Sequence, residues 1–164
     1  MPDGVFELAV LTPEQELLHT DARALVYRSS DGDLTILDGH TPLVTDVVPG
    51  DVRVDPEEGE PVHMAVHGGY VQVETGEGVG GREGRSTRVT LLAGIAELAR
   101  DIDVARAQRA REEAEGRLEQ LRSSGVREDD EAGEDTGRRV ELHSARASLR
   151  RAEVRLEVAG ERSS

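Results

Sequence analysis

The sequence predicts a β + α chain: an N-terminal β-sandwich or barrel, then a C-terminal antiparallel two-helix hairpin. Two observations predict it. Residues 1–94 carry short apolar runs broken by turn formers, and residues 95–164 carry apolar positions at spacings of three and four.

In the first region the runs fall at 5–11, 23–28, 34–37, 52–54, 62–66, 70–73 and 88–93. Val52/Val54, Val62/Met64/Val66, Val71/Val73 and Val89/Leu91/Ala93 alternate with period two, the signature of half-buried strands. Between them lie Ser30-Asp31-Gly32-Asp33, Asp38-Gly39-His40, Pro49-Gly50-Asp51 and Gly68-Gly69, all turn chemistry. Many short strands at close spacing favour a sandwich or barrel over a parallel sheet.

In the second region Val104, Ala107, Ala110, Ala114, Leu118 and Leu121 make one stripe. Leu142, Ala145, Leu149, Ala152, Leu156 and Ala159 make another, a narrow coiled-coil seam. The spacing predicts helices over about 100–122 and 139–159, with alanines allowing close approach. The linker 123–137 is acidic and glycine-containing, the composition of a mobile segment. A long glycine-rich loop interrupts the β region at 76–87.

Composition removes several function classes. The chain has no cysteine and no lysine, which excludes thiol chemistry, a Schiff-base lysine and a lysine-dependent phosphate loop. Two tyrosines and one phenylalanine are too few for a base-stacking platform, and a net charge of −14 opposes nucleic acid. No apolar run approaches the roughly 20 residues of a membrane-spanning helix, and the acidic start resembles no signal or transit peptide. The expected place is the cytosol, or a membrane reached through partners. Charge is uneven: residues 1–99 hold 18 acidic residues against 6 arginines, whereas residues 138–164 hold 4 against 7. A basic last helix on an acidic chain points to a partner.

Candidate chemistry is sparse. Gly76-x-Gly78-x-x-Gly81 spells a dinucleotide fingerprint, but the strand-like Arg88-Val89-Thr90-Leu91-Leu92 follows where a helix is needed, so a hairpin loop is expected. His63 and His67 have helical metal spacing, yet on a strand they stand about 13 Å apart and share no ion. They are read as partly exposed sheet residues, and His40 as a turn residue that hydrogen-bonds locally. No serine sits in a recognisable nucleophile turn. No catalytic or metal-ligating residue is singled out.

Gly32-Asp33-Leu34-Thr35-Ile36-Leu37-Asp38-Gly39-His40-Thr41-Pro42-Leu43-Val44, then His67-Gly68-Gly69-Tyr70-Val71-Gln72-Val73, then Val89-Thr90-Leu91-Leu92-Ala93, stand in order before Ile102-Asp103-Val104-Ala105-Arg106-Ala107. This series resembles the epsilon subunit of bacterial F-type ATP synthases over nearly the whole chain, with Gly39, His40, Pro42, Gly68 and Gly69 as its turn motifs. It departs from the family pattern at Asp38, where proline is common, and in the long segments 76–87 and 123–137.

The resemblance implies a ten-stranded β-sandwich, residues 1–94, that docks on the gamma subunit and the membrane rotor ring. It implies a non-catalytic regulator at the cytoplasmic face of the membrane, which helps couple proton flow to ATP synthesis. The helices, residues 95–164, would fold on the sandwich or open along gamma, reach the catalytic beta and alpha subunits and block ATP hydrolysis. Opened end to end they span about 65 Å at about 1.5 Å per residue, enough for that reach. Arg146, Arg150, Arg151 and Arg155 would then be the inhibitory contacts.

Some members of that family bind regulatory ATP, and Ile102, Asp103, Arg106 and Ala107 match their pattern, with Glu97, Arg151 and Arg155 at positions resembling further contacts. Asp103 and Arg106 equally suit an ordinary i, i+3 pair near a helix start. No other cofactor is implied. A stand-alone sandwich and coiled-coil adaptor explains the architecture but not the ordered turn motifs. A nucleotide-dependent enzyme is opposed by the absent lysine.

Overall fold

The computed structural model describes residues 4–79, 86–125 and 136–161. Nine strands occur among them: β1 Phe6–Leu11, β2 Glu16–Ser29, β3 Gly32–Ile36, β4 Leu43–Val47, β5 Gly50–Pro56, β6 Val62–Val66, β7 Gly69–Thr75, β8 Thr87–Ala93 and β9 Ala96–Leu98. A single 3-10 turn, Ala99–Asp101, leads to α1 Val104–Ser123 and α2 Thr136–Glu161.

The strand order is β4-β7-β8-β1-β2-β5-β6-β9, with β3 on β2. The long β2 folds this path into two layers. Its first half pairs with β1, and its second half lies between β3 and β5 after an irregularity between Ala22 and Ala24. Each layer therefore has five strand positions with β2 counted in both, which reconciles nine strands with the ten the resemblance implied. All pairs are antiparallel except β1–β8.

The core lies between the layers. Phe6, Leu8, Val10, Leu25, Ile36, Val52, Val54, Met64, Val71 and Leu91 are among its fully buried side chains. The period-two alternation selects them: of β8, Val89 and Leu91 point inward while Leu92 points outward. Two elements escaped the sequence reading. The edge strand β4 buries only Val47, and β9 has three residues, too short for a period to register.

β9 also moves the domain boundary. It pairs with β6, so the sheet continues to Leu98, past the break expected at residue 94. The first helix consequently starts at Val104 and not near 100, where Asp103 caps it by accepting a 2.9 Å hydrogen bond from the Arg106 N–H. The second starts at Thr136, three residues before the expected 139. Gly76–Val79 begins the loop between the antiparallel β7 and β8, with the Gly76 N–H donating to Ser86 O at 2.8 Å. That is a hairpin loop, as the following strand required. Residues 80–85 and 126–135, the centres of the glycine-rich loop and of the linker expected to be mobile, lie outside the described residues.

α1 and α2 run antiparallel. Leu118 and Leu121 pack on Leu142, Ala145 and Leu149, and Arg117 pairs with Glu141 at 2.9 Å. The expected seam holds at Ala107, Ala114, Ala152 and Ala159, which are buried. It is incomplete elsewhere: Val104 is exposed and Leu149 and Leu156 are half-buried. α2 divides its apolar surface between α1 and the sandwich.

Candidate functional site

No cluster of three or more metal-ligating side chains occurs among the described residues. The candidate functional surfaces are the junction between hairpin and sandwich, and the sandwich face that the hairpin leaves open.

The junction is built on the outward row of the second layer. Pairing aligns Asp51, Ala65 and Glu97 across β5, β6 and β9, so their side chains share one face. Val154 and Val158, four apart on α2, close over Ala65 together with Ala99, Ile102 and Ala159. Both valines are fully buried, at roughly 1.5–3 kcal/mol each. The sequence reading missed them because they lie off the leucine–alanine stripe; their signal was a second i, i+4 pair on a face otherwise rich in arginine. Polar contacts flank this patch. Arg155 Nε donates to Glu97 Oε2, and Arg150 donates to the Pro49 carbonyl at 3.1 Å. Arg151 donates to Ser148 at 3.0 Å.

The opposite layer presents the open face. Leu11, Leu92 and Tyr70 are direct neighbours across β1, β8 and β7, so they form one outward apolar row. Tyr70 is 60% exposed and Leu92 47% exposed; on β4 Tyr70 faces Asp46, and Val44, 69% exposed, lies diagonally from it. A shallow groove lined by Leu11, Pro13, His67, Tyr70, Leu92 and Ala93 runs along the row. Scattered apolar surface residues are ordinary, and a contiguous row across three strands is a candidate interaction surface.

The descriptions "ATP synthase, Delta/Epsilon chain, beta-sandwich domain" and "ATP synthase, Delta/Epsilon chain, long alpha-helix domain" match residues 5–78 and 100–160. The chain belongs to the ATP synthase epsilon family. The ATP synthase epsilon chain of Halalkalibacterium halodurans is 36% identical over 92% of this chain and 94% of its own length. That of Desulforudis audaxviator is 38% identical over 72% of this chain and 77% of its own. A chain in the Euglena gracilis mitochondrial ATP synthase shares the fold, with a TM-score of 0.65 and 18% identity over 98% of this chain and 84% of that one.

Within this epsilon-family chain the turn motifs have structural work. Gly39 adopts φ +77°, and its N–H donates to Thr87 Oγ1 at 2.9 Å. The His40 N–H closes the turn on Leu37 O, its Nδ1 lies 2.8 Å from Thr41 O, and its carbonyl accepts from Thr75 Oγ1. Pro42 leads directly into β4. Gly68 adopts φ +104°, and a Cβ on Gly69 would sit 2.1 Å from Leu92 O. Positive φ explains Gly68, and close strand approach explains Gly69.

The residues matched to the nucleotide pattern lie on β9, at the start of α1 and on α2. Glu97 and Arg155 pair, Ile102 and Ala107 are buried in apolar contacts, and Asp103 caps α1 beside an exposed Arg106. Of the four α2 arginines expected as inhibitory contacts, Arg150 and Arg155 engage the sandwich, and Arg151 is half-buried. His63 Nδ1 lies 2.8 Å from Asp51 Oδ2, as suits a partly exposed sheet residue. His67 is likewise half-buried, but both its ring nitrogens are buried.

Proposed function

We propose that this chain is the epsilon subunit of an F-type ATP synthase, a non-catalytic part of the central stalk that helps couple proton flow to ATP synthesis and restrains ATP hydrolysis. In this reading the sandwich joins the gamma subunit through the apolar row of Leu11, Leu92 and Tyr70 with Val44 beside it, and its base meets the membrane rotor ring. The assembly holds it at the cytoplasmic face of the membrane; no described helix is long and apolar enough to cross one. The hairpin is the regulatory element, docked as described or opened toward the catalytic beta and alpha subunits.

One observation carries the proposal: the hairpin seats on a small valine–alanine patch with two polar latches, while an apolar row on the opposite layer stays open. A small, partly polar contact is exchangeable, which is what a two-position element needs. Opening also releases Arg150 and Arg155 from the sandwich for acidic partners.

Truncation after Asp101 tests this reading and retains β9. The shortened chain is expected to fold, to assemble with gamma and to lose restraint of hydrolysis in the purified ATP synthase. Failure to bind gamma would remove docking from the sandwich, and unchanged restraint would remove it from the hairpin.

A further inference from the structure

We infer that His67 makes docking of the hairpin sensitive to pH, because its ring nitrogens are buried without a hydrogen-bond partner beside the junction with α2 and a proton there opposes the docked state. His63 and Ala65 take the outward side of the second layer, and His67, the residue after β6, prolongs that ladder by donating its N–H to Ile95 O at 3.0 Å. Ala65 is the residue on which Val154 and Val158 close, which sets His67 at the edge of the junction. The charged groups facing it are Arg150, Arg151 and Arg155 from α2, and Glu97 from β9. Glu97 is the one opposite charge, and Arg155 already engages it.

Buried polar groups ordinarily find partners, and His63 has Asp51 at 2.8 Å. His67 Nδ1 and Nε2 are both buried and have none among the described residues. A neutral ring tolerates such a place far better than a charged one. Burial, reinforced by the arginines, pushes its pKa down to about 4 from the usual 6.5, against the weaker pull of Glu97.

The direction of the pH effect follows. When the hairpin leaves, the three arginines leave with it and the ring meets water, so its pKa returns toward about 6.5. The undocked state then binds the proton first as pH falls. Docking is at full strength above about pH 6.5, weakens up to about tenfold per pH unit below it, and levels off near the docked value. From pH 7.5 to 5.5 the docked-to-undocked ratio falls by up to about tenfold. His19 pairs with Glu7 and Glu16 on the other layer, and His63 has its own carboxylate, so neither is placed to do this.

The chain has no cysteine, so Glu60→Cys and Ser144→Cys, both exposed positions, accept a distance-reporting label pair on sandwich and hairpin. The expected result is a docked fraction that declines from pH 7.5 to 5.5, persists in declining in His63→Gln, and is flat in His67→Gln. An equal decline in His67→Gln, or none with His67 present, overturns the inference. A second readout covers a His67→Gln chain that fails to fold. The His67 ring, followed by NMR in the otherwise natural chain, should titrate near pH 4 and move up toward 6.5 in Val154→Ala/Val158→Ala. The same midpoint in both chains overturns it. Neither measurement needs the assembled ATPase, so the result stands apart from the proposed function.

Discussion

The sandwich core and the hairpin junction solve the same problem, burying apolar surface, at different scales. The core encloses eighteen buried residues, including Phe6, Leu8, Leu25, Ile36, Met64 and Leu91. The junction encloses six, three of them alanines, with arginine contacts at its rim. A core of that size forms once and stays formed. A six-residue patch has a strength that another surface can match, which is the difference in size that the proposed two-position hairpin requires.

The comparison breaks first at its strongest point. Phe6→Ala should cost about 3–5 kcal/mol and lower the melting of the whole chain, whereas Val154→Ala/Val158→Ala should free the hairpin and leave sandwich melting nearly unchanged. Calorimetry with hydrogen exchange resolved by residue would check both. If the double valine variant lowers protection in β1 and β8 as much as in α2, the two regions are one cooperative unit.

A smaller effect sharpens the role of the rim. Changing Arg146, Arg150, Arg151 and Arg155 together to alanine should open the hairpin of the isolated chain, because the Glu97 and Pro49 contacts go. The same variant should restrain hydrolysis less in the assembled enzyme, although its hairpin is more open, and natural restraint should weaken with salt. Restraint that rises in the variant would show that opening alone sets inhibition and that the arginines serve only docking.

The smallest expected effect concerns the nucleotide. The Asp103 carboxylate is occupied by its cap and that of Glu97 by Arg155, so a docked-state site would rest on Arg106 and Arg151. A rise in Tm with millimolar ATP, abolished by Arg106→Ala, would establish regulatory binding. No shift in the natural chain leaves Asp103 a helix cap.

Local pattern made much of this molecule legible. Val89/Leu91/Ala93 alternate, and they are buried alternately; Gly39 and Gly68 mark turns, and both take positive φ. These features depend on a few neighbouring residues, so they can be read along the chain. β4 and β9 were hidden because each is an edge or a short strand whose place depends on its partner. The site was less legible still. Glu97, Arg150 and Arg155 could be named in the sequence, but only packing decided that Arg155 meets Glu97 and that Arg150 meets the Pro49 carbonyl.

By itself, then, the sequence determined a sandwich, a hairpin and their order, through periodicities that local backbone geometry enforces. The tertiary structure alone decided which side of α2 faces the sandwich, which apolar row stays open, and that His67 and not His63 lacks a partner. Those outcomes depend on contacts between residues up to about a hundred positions apart, such as Arg150 and Pro49. Chain spacing carries no record of such contacts, because burial and pairing are properties of the packed whole.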